Sequence, residues 1–246
     1  MSEDKRIYTE EFQVGWQDVD PEGKLKMKAL TLWIQEVSWK HAALLGYGND
    51  FMQQNHGIWV MFRLCISMFR YPRWDDTIRL ITWPRGLKGI FAQRDFEFRN
   101  TDHELLAAAA SEWLVLGRED RKPMKSDMLL PFLPHTLPGK AAEVDRLVAP
   151  IGSEEVLLGN HKVEYAEIDM NQHANTSSYL DWTLNHVPQI VNGHKEVKSI
   201  SITFLSECKL GDEIQLKGAM NQEPYTVKGI RTSDNKPVYV AVFRMS

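Results

Sequence analysis

Two patterns alternate along the chain. Stretches with apolar residues every second position read as strands, and two stretches with apolar residues every third or fourth position read as helices. Residues 27–45 place Leu30, Trp33, Ile34, Val37 and Leu44 on one helical face, with Gly46 and Gly48 as stop signals. A second helix carries Tyr179, Trp182 and His186 at i, i+3 and i+7, and Pro188 is expected to close it. Strands are expected at 7–16, 58–70, 75–84, 90–100 and 105–117. They return at 159–167, 196–207, 212–220, 224–231 and 236–245. In strand 90–100, Phe91, Phe96 and Phe98 are read as the apolar side and Arg94, Glu97 and Arg99 as the polar side. The proline-rich segment 118–156 reads as a connecting stretch rather than a packed element.

The order strand, loop, helix, long antiparallel sheet occurs twice, and the residues repeat with it. Residues 14–33 align without gaps on 163–182, so that Val14 meets Val163, Asp20 meets Asp169 and Trp33 meets Trp182. Residues 66–80 align without gaps on 202–216. This predicts an α+β fold made of two copies of one unit, each a long helix wrapped by an antiparallel sheet. Such a duplicated unit is similar to the tandem (double) hotdog fold. The expected organisation is an N-terminal unit over 1–125, a linker over 126–156 and a C-terminal unit over 157–246.

The halves differ in chemistry. Asn171, His173, Glu207 and Cys208 face Glu22, Lys24, Tyr71 and Pro72 in the alignment, while Asp169 faces another aspartate, Asp20. One chemical site per chain, built by the second half, is therefore expected. Asp169 and Asn175-Thr176 also suit turn and helix-cap positions. Cys208 suits a buried small residue. As a set, a histidine, a carboxylate, a thiol and an amide ahead of a helix start point to hydrolysis of an activated acyl group. His173 or Glu207 would act as base, and N–H groups at the helix start would face the developing oxyanion.

Composition narrows the partners. The 246 residues carry a formal charge of −4, which disfavours nucleic acid. No apolar run reaches membrane-span length. The first residues lack a secretory signal or transit peptide pattern, and the two cysteines, Cys65 and Cys208, read as free thiols. A cytoplasmic protein is expected. No metal-ligand spacing, phosphate loop, dinucleotide fingerprint or G-x-S-x-G elbow is present, so no metal and no cofactor are expected.

Four segments resemble one family, the plant and bacterial acyl–acyl carrier protein thioesterases. D-M-N-Q-H-A-N at 169–175 looks like its D-M-N-Q-H-V-N motif, and S-E-C-K-L-G-D at 206–212 resembles its Glu-Cys motif. G-I-W-V-M-F-R-L at 57–64 and R-Y-P-R-W-D-D at 70–76 are similar to its other two. The resemblance runs from about residue 5 to the end. It implies a double hotdog hydrolase that releases free fatty acid from acyl carrier protein, ending fatty acid synthesis. It also implies catalytic roles for Asp169, Asn171, His173, Glu207 and Cys208. Two mechanisms stay open: Cys208 as nucleophile with His173 and Asn171, or water activated by Glu207 or His173. The second is favoured, because a thiol attacking a thioester yields another thioester. The resemblance places the acyl chain in the first half, with Met27, Trp33, Val37, Trp59, Met61 and Met68 as candidate lining residues. The lack of a plant-type leader points to a bacterial enzyme.

Acyl carrier protein is acidic. Between residues 60 and 100 stand eight basic residues (Arg63, Arg70, Arg73, Arg79, Arg85, Lys88, Arg94, Arg99) against four acidic ones, a candidate docking face. Competing readings are a hotdog hydrolase acting on acyl-coenzyme A, an acyl-binding protein without activity, and a hotdog dehydratase. Chain length and oligomeric state stay open, a homodimer being the candidate assembly.

Overall fold

The computed structural model describes residues 4–141, 144–150, 154–193 and 195–246. The chain divides into two compact units, Met1–Leu64 with Met68–Val144, and Asp145–Ser246 with Cys65–Ser67. The division falls inside the expected linker, of which residues 142, 143 and 151–153 lie outside the described residues.

In the first unit, strand β1 (Tyr8–Gln13) leads to helix α1 (Met27–Leu44) and a short helix α2 (Asn49–Gln54). Strands β2 (Gly57–Met68), β3 (Thr77–Lys88), β4 (Phe91–Arg99) and β5 (Leu105–Gly117) follow. Their spatial order is β1-β3-β4-β5-β2. Helix α1 has neither glycine nor proline inside it and ends where Gly46 takes a left-handed φ of 89°. Its Leu30, Trp33, Ile34 and Val37 are buried as the spacing predicts. Leu44 is not: it is 55% exposed, and His41 takes the inward place one turn earlier. Strand β4 also departs from expectation. Arg94 shares parity with Phe96 and Phe98 and is buried with them. Its guanidinium donates to His41 Nδ1 at 2.9 Å, Thr82 Oγ1 at 3.2 Å and the Tyr47 hydroxyl at 3.2 Å. These are neutral acceptors. The His41 Nε2–H donates to the Lys5 carbonyl at 2.9 Å, and burial together with Arg94 lowers its pKa to about 4.

The segment after β5 is not a bare tether. Ser126–His135 is 3-10 helical, and its Leu129 packs on Met52 and Val115 while Phe132 meets Tyr47 and Phe51.

The second unit repeats the plan with β6 (Val156–Lys162), α3 (Thr176–Leu184), a short α4 (Pro188–Val191), β7 (Val197–Phe204), β8 (Glu213–Ala219), β9 (Tyr225–Arg231) and β10 (Lys236–Met245). Its order is β7-β10-β9-β8-β6. Helix α3 ends at Leu184, two residues before His186, and Pro188 opens α4 at its first position instead of closing α3. Residues 165–167, expected at a strand end, form a 3-10 turn. Tyr179, Trp182 and Tyr239 fill the space between α3 and the sheet. Gly229 permits this, since a Cβ there would lie 2.3 Å from the Tyr239 ring. Among the described residues no helix is long and apolar enough to cross a membrane.

Candidate active site

The loop between β6 and α3 is built by main-chain bonds and one carboxylate. The Asp169 N–H donates to the His173 carbonyl at 2.8 Å, and the Asn175 N–H donates to the Glu167 carbonyl at 2.8 Å. Asp169 Oδ1 accepts the N–H groups of Asn171 at 2.8 Å and His173 at 3.4 Å. The Asn175 side chain then caps α3 by accepting from the Ser177 N–H at 2.9 Å. Beneath the loop, Glu167 accepts the Trp182 indole N–H at 2.6 Å and His161 Nε2 at 2.9 Å, and the His161 ring stacks on Trp182.

The turn after β7 brings the second group of residues. The Ala174 N–H donates to the Cys208 carbonyl at 2.8 Å, which lays the His173 loop against Glu207 and Cys208. His173 Nε2 stands 3.5 Å from Glu207 Oε2. The imidazole is 17% exposed and the carboxylate 34%, so a water can reach the pair. Asn171, two residues before His173 in the same loop, is exposed.

Cys208 lies elsewhere in character. It is fully buried, and its N–H donates to the Tyr179 hydroxyl at 3.1 Å. Burial pushes its thiol up to about 11. At neutral pH it is a protonated core residue. The expected oxyanion donors at the helix start are also largely spent: the N–H groups of Asn175, Ser177 and Ser178 are bonded within the loop and cap, and that of Ala174 is bonded to the Cys208 carbonyl.

Of the six expected lining residues, Met27, Trp33, Val37, Met61 and Met68 are buried in the first unit's core. Trp59 lines a cleft there, with Tyr47, Leu87, Ala92, Leu129 and Phe132. The cleft encloses about 340 Å³ of empty space, part of it open to solvent. The 3-10 segment thus supplies one of its walls, a role its prolines concealed in the sequence. Of the eight basic residues of 60–100, Arg70, Arg73 and Lys88 are exposed. Arg63, Arg70, Arg79, Arg85 and Arg99 pair with Glu112, Glu104, Glu11, Asp95 and Glu97, and Arg94 is buried. Among the described residues no group of three or more His, Cys, Asp or Glu is placed to hold a metal ion.

One side chain at the site was missed altogether. Arg231, at the end of β9, donates to the Glu207 carbonyl at 2.9 Å. A lone arginine closing a strand gives no signal by itself. Only the register against the other half would have marked it.

Comparison with known proteins bears on both units. Residues 5–128 match the acyl-ACP thioesterase N-terminal domain, and residues 153–237 match the acyl-ACP thioesterase C-terminal domain. The chain is 28% identical over 235 residues to an oleoyl-acyl carrier protein thioesterase of Coriandrum sativum, covering 87% of this chain and 63% of that protein. It is 26% identical over 258 residues to oleoyl-acyl carrier protein thioesterase 1 of Arabidopsis thaliana, covering 95% and 69%. The chain thus spans about two-thirds of the length of these plant relatives. Its fold superposes with a TM-score of 0.84 on an acyl-ACP thioesterase from Bacteroides thetaiotaomicron, at 21% identity and full coverage of both chains. With the 12:0-ACP thioesterase from Umbellularia californica the TM-score is 0.79 at 19% identity, covering 98% and 97%. The fold is therefore the tandem hotdog that the repeat in the sequence implies. With one domain of the family matched by each half, the chain belongs to the acyl-ACP thioesterase family.

Proposed function

We propose that the protein hydrolyses the thioester of fatty acyl–acyl carrier protein, releasing a free fatty acid and the carrier with its free phosphopantetheine thiol. The observation that carries this reading is the His173–Glu207 pair, 3.5 Å apart and open to water, in the half that matches the family's C-terminal domain. The Glu207 carboxylate takes a proton from water as the water oxygen bonds to the thioester carbon. The Asn171 amide donates to the oxyanion that forms. On collapse the C–S bond breaks and His173 gives a proton to the leaving sulfur. The proton on Glu207 then passes to His173, which restores the pair. Asp169 holds the loop and touches no reacting atom.

Cys208 is not the nucleophile in this scheme, because a buried thiol with a pKa near 11 holds almost no thiolate at neutral pH. The acyl chain is assigned to the first half, where the cleft beside Trp59 and Phe132 offers apolar walls. The protein is placed in a bacterial cytoplasm. Two free cysteines suit a reducing compartment, and solved structures from Bacteroides thetaiotaomicron and Lactobacillus plantarum share the fold over at least 95% of their own chains.

The test is thiol and fatty acid release from acyl carrier proteins of medium to long chain, with acyl-coenzyme A as competitor. Wild type should turn over the carrier-bound substrates. Glu207→Gln should lose on the order of 100-fold or more, while Cys208→Ala stays within about tenfold of wild type. A folded but dead Cys208→Ala restores the covalent route. A wild type that prefers acyl-coenzyme A reassigns the substrate.

A further inference from the structure

Arg231 does more than close a strand. Its Nε and Nη2 donate to the two carboxylate oxygens of Asp234 at 3.1 and 2.9 Å. Its Nη1 donates to the Glu207 carbonyl at 2.9 Å and lies 3.6 Å from Asp212 Oδ2. Asp212 itself closes the turn after Cys208 by accepting the Lys209 N–H at 2.9 Å. The Arg231 side chain is 17% exposed. A guanidinium forked onto a carboxylate has little rotational freedom left. Two successive carbonyls of the Glu207 turn are therefore gripped from different sides. The sheet holds that of Glu207, and the His173 loop holds that of Cys208 through Ala174.

The first half shows the same place without the grip. Leu216 pairs with Gly229 in β8–β9, and its counterpart Leu80 pairs with Phe98 in β3–β4. Counting two residues on from each, Asn100 stands where Arg231 stands. Among the described residues the Asn100 side chain bonds only Glu104 and serves its own turn. The arginine thus comes with the histidine and the glutamate, in the half that carries them.

We propose that Arg231 is a positioning residue of the hydrolytic site: by holding the Glu207 carbonyl it fixes the Glu207 carboxylate within reach of His173. This rests on the reading of the site given above. A displacement of about 1 Å in a reacting group costs on the order of 100-fold in rate, so the effect is measurable. Arg231→Met and Arg231→Lys are made alone and in a Glu207→Gln background, and hydrolysis of acyl carrier protein is followed beside thermal melting. Arg231→Met should lower kcat roughly 10- to 100-fold with KM within about twofold, and Arg231→Lys should recover part of it. In the Glu207→Gln background the added loss should be under about threefold, because the arginine acts through the residue already removed. Fully additive losses, a change confined to KM, or a wild-type kcat would overturn the assignment. If Arg231→Met does not fold, Asp234→Asn loosens the same fork from the solvent side and is held to the same criteria. If wild type hydrolyses nothing, the reading of the site has failed separately. The crystal structure of Arg231→Met then decides the clamp: a Glu207 carboxylate still within about 4 Å of His173 overturns it, and a carboxylate that has swung away upholds it.

Discussion

In the first half, Asp20 Oδ1 accepts the N–H groups of Glu22 and Lys24; in the second, Asp169 Oδ1 accepts those of Asn171 and His173. The Asp20 N–H bonds the Lys24 carbonyl at 2.8 Å, and the Asp169 N–H bonds that of His173 at the same distance. Leu25 donates to Pro72 as Ala174 donates to Cys208, and Val14 donates to Asp76 as Val163 donates to Asp212. Even the ring stacked on the helix tryptophan is matched, Phe12 on Trp33 and His161 on Trp182. One backbone therefore serves a half with the proposed catalytic set and a half without it. The aspartate common to both accepts the same two backbone N–H groups in each half, and the proposed chemistry rests on the residues that differ.

Breaking the comparison starts with those residues. His173→Ala should lower hydrolysis of acyl carrier protein on the order of 100-fold or more, whereas Lys24→Ala and Tyr71→Phe should stay within about twofold. A comparable loss from the first-half changes would mean that both loops take part in the chemistry.

Acid should then separate the halves by stability. His41 is buried neutral against Arg94, with a pKa lowered to about 4 from an ordinary value near 6.5. The unfolded chain takes up this proton below pH 6.5 and the folded one does not until about pH 4. Stability is therefore full above pH 6.5 and falls between pH 6.5 and 4, by up to about 3 kcal/mol. Denaturant titrations at pH 7 and pH 4.5 should show the loss in wild type and a flatter profile in His41→Gln. A pH-independent wild type would show that the folded imidazole takes up its proton at the same pH as the unfolded one, so that burial and Arg94 do not hold it neutral.

Next come the two aspartates. Asp20→Ala and Asp169→Ala each remove an acceptor for two backbone N–H groups, and each should cost about 1–2 kcal/mol in denaturant unfolding. An Asp169→Ala that keeps its stability yet loses all activity would give that carboxylate a direct role after all. The smallest effect concerns the loop apex. Gly23 has φ of 75° and Gln172, its counterpart, 64°. Nothing lies within 4 Å of a Cβ built on Gly23, so conformation alone matters there. Gly23→Ala should cost about 1 kcal/mol, and Gln172→Gly should be neutral or gain up to about 1 kcal/mol. A destabilised Gln172→Gly would mean that the glutamine side chain braces its loop.

Much of this was legible in the sequence. The duplication could be read because both aligned stretches run without gaps, and a gap-free stretch keeps the inward and outward parity of each strand. The candidate site was picked out by subtraction, since Asn171, His173 and Glu207 stand where the other copy has Glu22, Lys24 and Tyr71, and the structure sets His173 Nε2 3.5 Å from Glu207 Oε2. The failures have physical causes. Arg94 was grouped with the polar side by its charge, although its parity put it with Phe96 and Phe98. Arg231 was passed over because its link to Glu207 is through a main-chain carbonyl, which no residue type in the sequence reveals. The segment 126–135 was dismissed for its prolines, which forbid an α-helix but not a 3-10 turn with Leu129 and Phe132 turned inward.

The self-sufficiency of the loop backbone has a consequence for how such proteins change over generations. A turn held by carbonyls, N–H groups and one aspartate leaves the side chains at 21–24 and 170–173 nearly exempt from the demands of folding. Mutational drift can empty such a receptacle without collapse, and selection can refill it without inventing a new shape. The first half is in this sense a vacant mould. Glu22→Asn, Lys24→His, Tyr71→Glu and Asn100→Arg together would ask whether ancestry left it ready to be recast.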